Sequence, residues 1–228
     1  MGIKAVIFDF GSTLFDGSSI KYMYERVSLP FWKKHGFKGT KTEFFNALKK
    51  TEKEFSKIGL RDRKHLYKYS EILSRNLGVK VPKSVFIEEF NLTKNYVYKY
   101  VKPFKETERL LKNLKANGYK LGLVSNSWRE FVLPLLKKYG LEKYFDAIVI
   151  SDMVGAIKQE MVPIFKCAEK LGISPEAVLV VDDDKSVSVC EKYGFKFFHL
   201  KSPEKLSGLF SLLQSSIRQD RKEKGDYG

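Results

Sequence analysis

Five short, almost wholly apolar runs constrain this chain more than any other feature. They are IKAVIFD at 3–9, YKLGLVS at 119–125, AIVIS at 147–151, AVLVVD at 177–182 and FKFFHL at 195–200. Each is rich in β-branched or aromatic residues and has the length of a strand. Helical patterns follow the last four, near 128–139, 160–171, 185–193 and 204–217. Strands that are apolar on both faces need cover on both faces. Repeated strand–helix units supply it, so the spacing predicts an α/β fold built on a parallel sheet.

The first run is cut off from the other four by a different texture. Residues 18–100 are aromatic and lysine-rich at helical spacing, as in TEFFNALKKTEKEF and HLYKYSEILSRNLG. Breaks at Gly36, Gly59 and between Gly78 and Pro82 predict four helices there. Pro103 is expected to open a further helix, ETERLLKNLKANG, which closes at Gly118. The organisation that follows is an α/β core from 1–16 and 101–217, an all-helical insertion at 17–100 and a flexible tail at 218–228. Linkers are expected near 16–18 and 100–103.

Several classes of function are disfavoured. No window reaches the roughly 18 apolar residues of a membrane span, and no signal-peptide pattern precedes the first strand. Two cysteines, Cys167 and Cys190, at no metal-type spacing, fit a reducing cytosol. The expectation is a soluble cytoplasmic protein. Forty-two Lys+Arg against 27 Asp+Glu give a net charge of +15, a field that attracts anions. The basic residues are spread along helix faces without a nucleic-acid motif, so a small phosphorylated ligand is favoured over nucleic acid. The oligomeric state is left open.

In open parallel sheets, ligands collect beyond the carboxyl ends of the strands. The first strand ends in Asp9, the second in Ser125-Asn126, the fourth in Asp182-Asp183-Asp184, and Lys158 follows the third. A carboxylate can attack phosphorus only where the repulsion between anions is cancelled, by a divalent cation, a lysine and hydroxyl donors. Mg²⁺ is served by one or two carboxylates with waters and phosphate oxygens. Asp9 and one member of the acidic triplet meet that minimum.

The strand running into DFGSTLFDG, the strand GLVSN, a lysine some thirty residues on and AVLVVDDD together resemble the four motifs of the haloacid dehalogenase superfamily. The resemblance spans roughly 3–200, and the insertion after the first motif resembles the subfamily with a helical cap there. It implies a Rossmann-like sheet of order 5-4-1-2-3, Mg²⁺ as cofactor and a small phosphorylated substrate. It also implies roles. Asp9 is the nucleophile and a metal ligand, and the Gly11 carbonyl is a second ligand. Thr13 steadies the loop that carries Asp9. Ser125 and Asn126 bind the phosphoryl group. Lys158 binds it too and keeps Asp9 ionised. For the remaining ligand, counting forward from Pro175 selects Asp183 and counting back from Gly194 selects Asp182. Asp183 is preferred.

The chain departs from the family pattern at Gly11, where phosphatases usually carry a second aspartate that serves as general acid and base. Such help is worth about 10²–10⁴-fold, most for poor leaving groups. His35 and His65 are the histidines of the insertion that could replace it, though half-buried structural roles suit both better. Asp16 reads as a capping or hinge residue. Gln159 stands where the family commonly has proline, and Ser186-Val187-Ser188 where a further acid is common. Two alternatives follow. One is a metal-independent 2-haloacid dehalogenase, because halide leaves without a proton. The other is a catalytically weak binding protein for phosphate ligands or nucleic acid.

Overall fold

The computed structural model describes residues 2–58 and 65–202, together with Leu206, Gly208, Leu209 and Leu213. The expected tail at 218–228 and the break at Gly59 lie outside these residues, as does most of the expected helix at 204–217. The five apolar runs form one parallel sheet: β1 (Ala5–Phe8), β2 (Lys120–Ser125), β3 (Ala147–Ile150), β4 (Val178–Asp182) and β5 (Lys196–His199). Their order across the sheet is β3-β2-β1-β4-β5, so β1 lies between the strands that end in Ser125 and Asp182.

The period of two along each strand divides the core. Val6, Phe8, Leu121, Leu123, Leu179 and Val181 face one side. There they meet Leu110, Leu111 and Leu114 of a helix at Thr107–Ala116 and Val132, Leu135 and Leu136 of a helix at Arg129–Lys138. Ala5, Ile7, Val124, Val178 and Val180 face the other side, against Ile164, Cys167, Ala168 and Leu171 of a helix at Val162–Leu171. Both faces are dry, as all-apolar parallel strands require.

Among the described residues, those of 20–100 are helical in four stretches. The first combines α1 (Ile20–Met23), a wider π-type turn (Tyr24–Ser28) and α2 (Leu29–Lys34). The others are α3 (Lys41–Ile58), α4 (Lys68–Asn76) and α5 (Lys83–Tyr100). The three helices named above by residue range become α6 (Thr107–Ala116), α7 (Arg129–Lys138) and, after a single turn α8 (Ser151–Val154), α9 (Val162–Leu171). The segment 20–100 has an apolar cluster of its own, around Trp32, Phe44, Leu48 and Leu73.

Two local expectations are corrected. Pro103 does not open a helix. Lys102–Pro103 pairs antiparallel with Phe15–Asp16, and α6 starts at Thr107. Residues 185–193 form a tighter 3₁₀ helix rather than an α-helix. Its start is drawn in by Asp184, whose carboxylate accepts the Ser186 backbone N–H at 2.8 Å.

Candidate active site

Sheet register brings the acids together. Phe8 is level with Leu123 on β2 and with Val181 on β4. The next residue, Asp9, donates its backbone N–H to the Val181 carbonyl at 2.9 Å, which sets it beside Asp182. The chain then folds back at once. Leu14 and Phe15 donate to the Phe10 carbonyl, and Ser12 adopts φ +59° to make the turn. Phe10 and Phe15 stack at 4.3 Å across it. Thr107 anchors the loop by donating to the Leu14 carbonyl at 2.8 Å. The Thr13 hydroxyl is buried and makes no hydrogen bond among the described residues.

Lys158 is the centre of the cluster. Its Nζ lies 2.6 Å from Asp9 Oδ1 and 2.6 Å from Asp182 Oδ2. All three groups are out of water, with Asp9 6%, Lys158 5% and Asp182 1% exposed. Burial works against the lysine charge, but the two carboxylates overrule it and hold the Lys158 pKa above the ordinary lysine value. Burial, with the Asp9 charge behind it, raises Asp182 to about 6 against the pull of Lys158. Asp183 is also raised, by burial and then by Asp9. Asp184 is held low despite its burial, because Ser186 and Gln159 donate to it.

Carboxylate oxygens of Asp9, Asp182 and Asp183 lie within 4.8 Å of one another. Three carboxylates against one ammonium leave two negative charges to be balanced, and an all-oxygen set of this kind suits a hard divalent cation. Asp182 has both oxygens engaged, Oδ2 by Lys158 and Oδ1 by the Asp184 backbone N–H at 2.9 Å. Asp183 borders the open cavity with Asp9 and Gly11, whereas Asp182 does not.

Asn126 also borders the cavity, but its side chain already has partners. Its Oδ1 accepts from Ser151 Oγ and the Lys158 backbone N–H, each at 2.8 Å, and its Nδ2 donates to Gln159 Oε1 at 2.9 Å. Gln159 in turn donates to Asp184 Oδ2 at 2.8 Å. One hydrogen-bonded chain thus ties the ends of β2 and β4 to the loop that carries Lys158. Ser125 is buried at the end of β2 and borders the cavity.

The cavity has a volume of about 570 Å³ and lies between these strand ends and the helical segment. Gly11 faces it, and a Cβ built there would meet no atom within 4 Å. Neither His35 nor His65 is among its lining residues. The His35 ring bonds the Phe31 carbonyl at 2.9 Å, a local structural contact. Asp16 accepts the Ser18 backbone N–H at 2.8 Å, which shapes the turn into the helical segment.

Residues 6–199 match the model of the haloacid dehalogenase-like hydrolase family. The chain belongs to that family. It is 36% identical over 158 residues to a phosphoglycolate phosphatase of Aquifex aeolicus, covering 66% of this chain and 73% of the relative. It is 24% identical over 196 residues to a glyceraldehyde 3-phosphate phosphatase of Methanopyrus kandleri, covering 84% and 81%. Among solved structures it resembles a HAD phosphatase from Thermococcus onnurineus at 25% identity and a TM-score of 0.61, over 86% of this chain and 85% of that one. An L-2-haloacid dehalogenase from Xanthobacter autotrophicus shares the fold at 23% identity and a TM-score of 0.61, over 86% and 77%. No helix among the described residues is long and apolar enough to cross a membrane.

Sequence reasoning did not single out Glu89 on α5, which also lines this hydrolase's cavity. A signal was present. Val85, Glu89, Phe90 and Val97 share the buried face of α5, so helical spacing alone sets one acid of the Glu88-Glu89 pair inward.

Proposed function

We propose that this hydrolase is a Mg²⁺-dependent phosphatase that works through an aspartyl-phosphate on Asp9, with a small phosphorylated metabolite as substrate. The observation that carries the reading is the Lys158 ammonium shared between Asp9 and Asp182, with Asp183 beside them at the cavity. Asp9, Asp183 and the Gly11 carbonyl would hold the metal, with Asp182 behind them. Bound there, Mg²⁺ would neutralise phosphoryl oxygens and offset the repulsion between anions.

Lys158 pairs with Asp9 and draws a phosphoryl oxygen toward it. Ser125 donates to another. An Asp9 oxygen forms the new bond to phosphorus as the bond to the leaving oxygen breaks, and that oxygen departs with the electron pair. Water then attacks phosphorus and returns Asp9 as a carboxylate. Gly11 supplies no proton at either stage. Leaving groups that depart as stabilised anions, aryl or acyl, therefore suit the site better than simple alkoxides.

The sheet order, read from the β5 edge as 5-4-1-2-3, supports a core of this family made from 1–16 and 101–217. The helical residues 17–100 serve as its cap, closing over the cavity and excluding water. The pairing of Phe15–Asp16 with Lys102–Pro103, at the two crossings between them, supports that division. Cys167 and Cys190 are free and buried, in keeping with a reducing cytosol.

The test is turnover of 4-nitrophenyl phosphate and acetyl phosphate with Mg²⁺ and with chelator, by the wild type and by Asp9→Asn. The variant is expected to lose roughly three orders of magnitude or more, and chelator to abolish wild-type turnover. Undiminished turnover by Asp9→Asn would remove Asp9 from the chemistry.

A further inference from the structure

The cavity wall formed by the helical segment contains polar groups that the reaction above does not use. Glu89 borders the cavity and is 3% exposed. Its Oε1 accepts the indole N–H of the fully buried Trp32 at 2.6 Å. Its Oε2 has no hydrogen-bond partner among the described residues. The Ser28 hydroxyl, on the same wall and 1% exposed, has none either. Ser28 and Ser70 stand close enough to the Glu89 carboxyl to lower its pKa, yet neither makes a hydrogen bond of good geometry to Oε2, and a buried carboxyl oxygen left so on a cavity wall can take a donor from a ligand. Around them the lining is apolar and largely aromatic, with Phe90, Phe131, Trp128 and Val97.

Resting on the phosphatase reading, we propose that Glu89 selects the leaving group, and that the substrate is a phosphate monoester of a mostly apolar, ring-sized alcohol that ends in a hydrogen-bond donor. Size supports this. A cavity of about 570 Å³ falls within the range that holds drug-sized ligands, and a two-carbon acid would leave most of it empty. Charge supports it too. A carboxyl group in the wall repels a second acidic end on the substrate, so phosphoglycolate, named for the Aquifex aeolicus relative, fits this wall poorly. Burial raises the Glu89 carboxyl toward its neutral form, while Ser70, Trp32 and Ser28 pull it back. A hydroxyl on the substrate would pair with either form, and an ammonium with the ionised one. Trp32 holds Oε1 and leaves Oε2 to the ligand.

The experiment compares four phenyl phosphates that differ only at the para position: ethyl, 2-hydroxyethyl, 2-aminoethyl and 2-carboxyethyl. kcat/KM is measured with Mg²⁺ for the wild type, Glu89→Gln and Glu89→Leu, with circular dichroism melts to confirm folding. In the wild type, the hydroxyethyl or the aminoethyl compound is expected to exceed the ethyl compound by about 10-fold or more. The carboxyethyl compound should fall below it. Whichever donor wins identifies the hydroxyl or the ammonium. Glu89→Gln should lose the aminoethyl advantage, and Glu89→Leu the advantage of both donors. The wild-type series decides even if a variant does not fold. Comparable rates for all four, or a preference for the carboxylate, would overturn the proposal and leave the phosphatase reading standing. No turnover of any of them, nor of 4-nitrophenyl phosphate, would overturn both.

Discussion

Lys158 holds two buried carboxylates by a single ammonium, and its removal leaves both without a counter-charge. Breaking a buried pair costs about 3–5 kcal/mol, so Lys158→Met should lower stability by that order in urea titration as well as abolish turnover. Unchanged stability would mean that water already screens the cluster. Gly11 poses the opposite test, since a side chain can be added there. Nothing lies within 4 Å of a Cβ at this position, so Gly11→Asp should fold normally and restore a proton donor beside Asp9. Its gain should be selective, with the alkyl-to-aryl ratio of kcat/KM rising by about 10²-fold. A uniform change would show that proton transfer is not what the site lacks. At this scale Asp9 and Lys158 were legible because strand ends are chemically privileged positions. The choice between Asp182 and Asp183 was not, because spacing cannot show which carboxylate Lys158 occupies. The partners of Asn126 were hidden for a related reason. An amide next to Ser125 reads as a ligand group, and only the fold shows that Ser151 and Lys158 claim its oxygen.

The strands and most helices could be read from the chain, because period and punctuation are local. What failed was also local chemistry overruled by neighbours. Pro103 lost its helix to pairing with Phe15, a partner no sequence window contains. Gly122, in the middle of β2, was read simply as part of an apolar run, and packing explains it. A Cβ there would run into Cys167 Sγ and lie 3.1 Å from Ile7 Cγ1 and 3.2 Å from Leu171 Cδ1. The bare glycine lets α9 seat closely on the sheet beside β1. Gly122→Ala should therefore destabilise by about 1–3 kcal/mol through overpacking, and adding Cys167→Ala should return much of that loss. Thermal melts of the single and double variants check it. A neutral single variant would mean that α9 gives way freely.

The whole molecule joins two segments that are far apart in sequence. The turn after β1 supplies Asp9 and Gly11, and the end of β4 supplies Asp182 and Asp183. Only the crossing of β1 between β2 and β4 makes them neighbours. The helical segment then encloses the space above them, with its own apolar cluster around Trp32 and with Glu89 in the wall. The most direct test of the account is a crystal structure of the protein soaked with Mg²⁺ and fluoroberyllate, a mimic of the phosphoryl group. The account predicts beryllium bonded to an Asp9 carboxylate oxygen, Lys158 and Ser125 on its fluorines, and the metal held by Asp9, the Gly11 carbonyl and Asp183. Beryllium on any other oxygen, or a metal bound without Asp9, would contradict it.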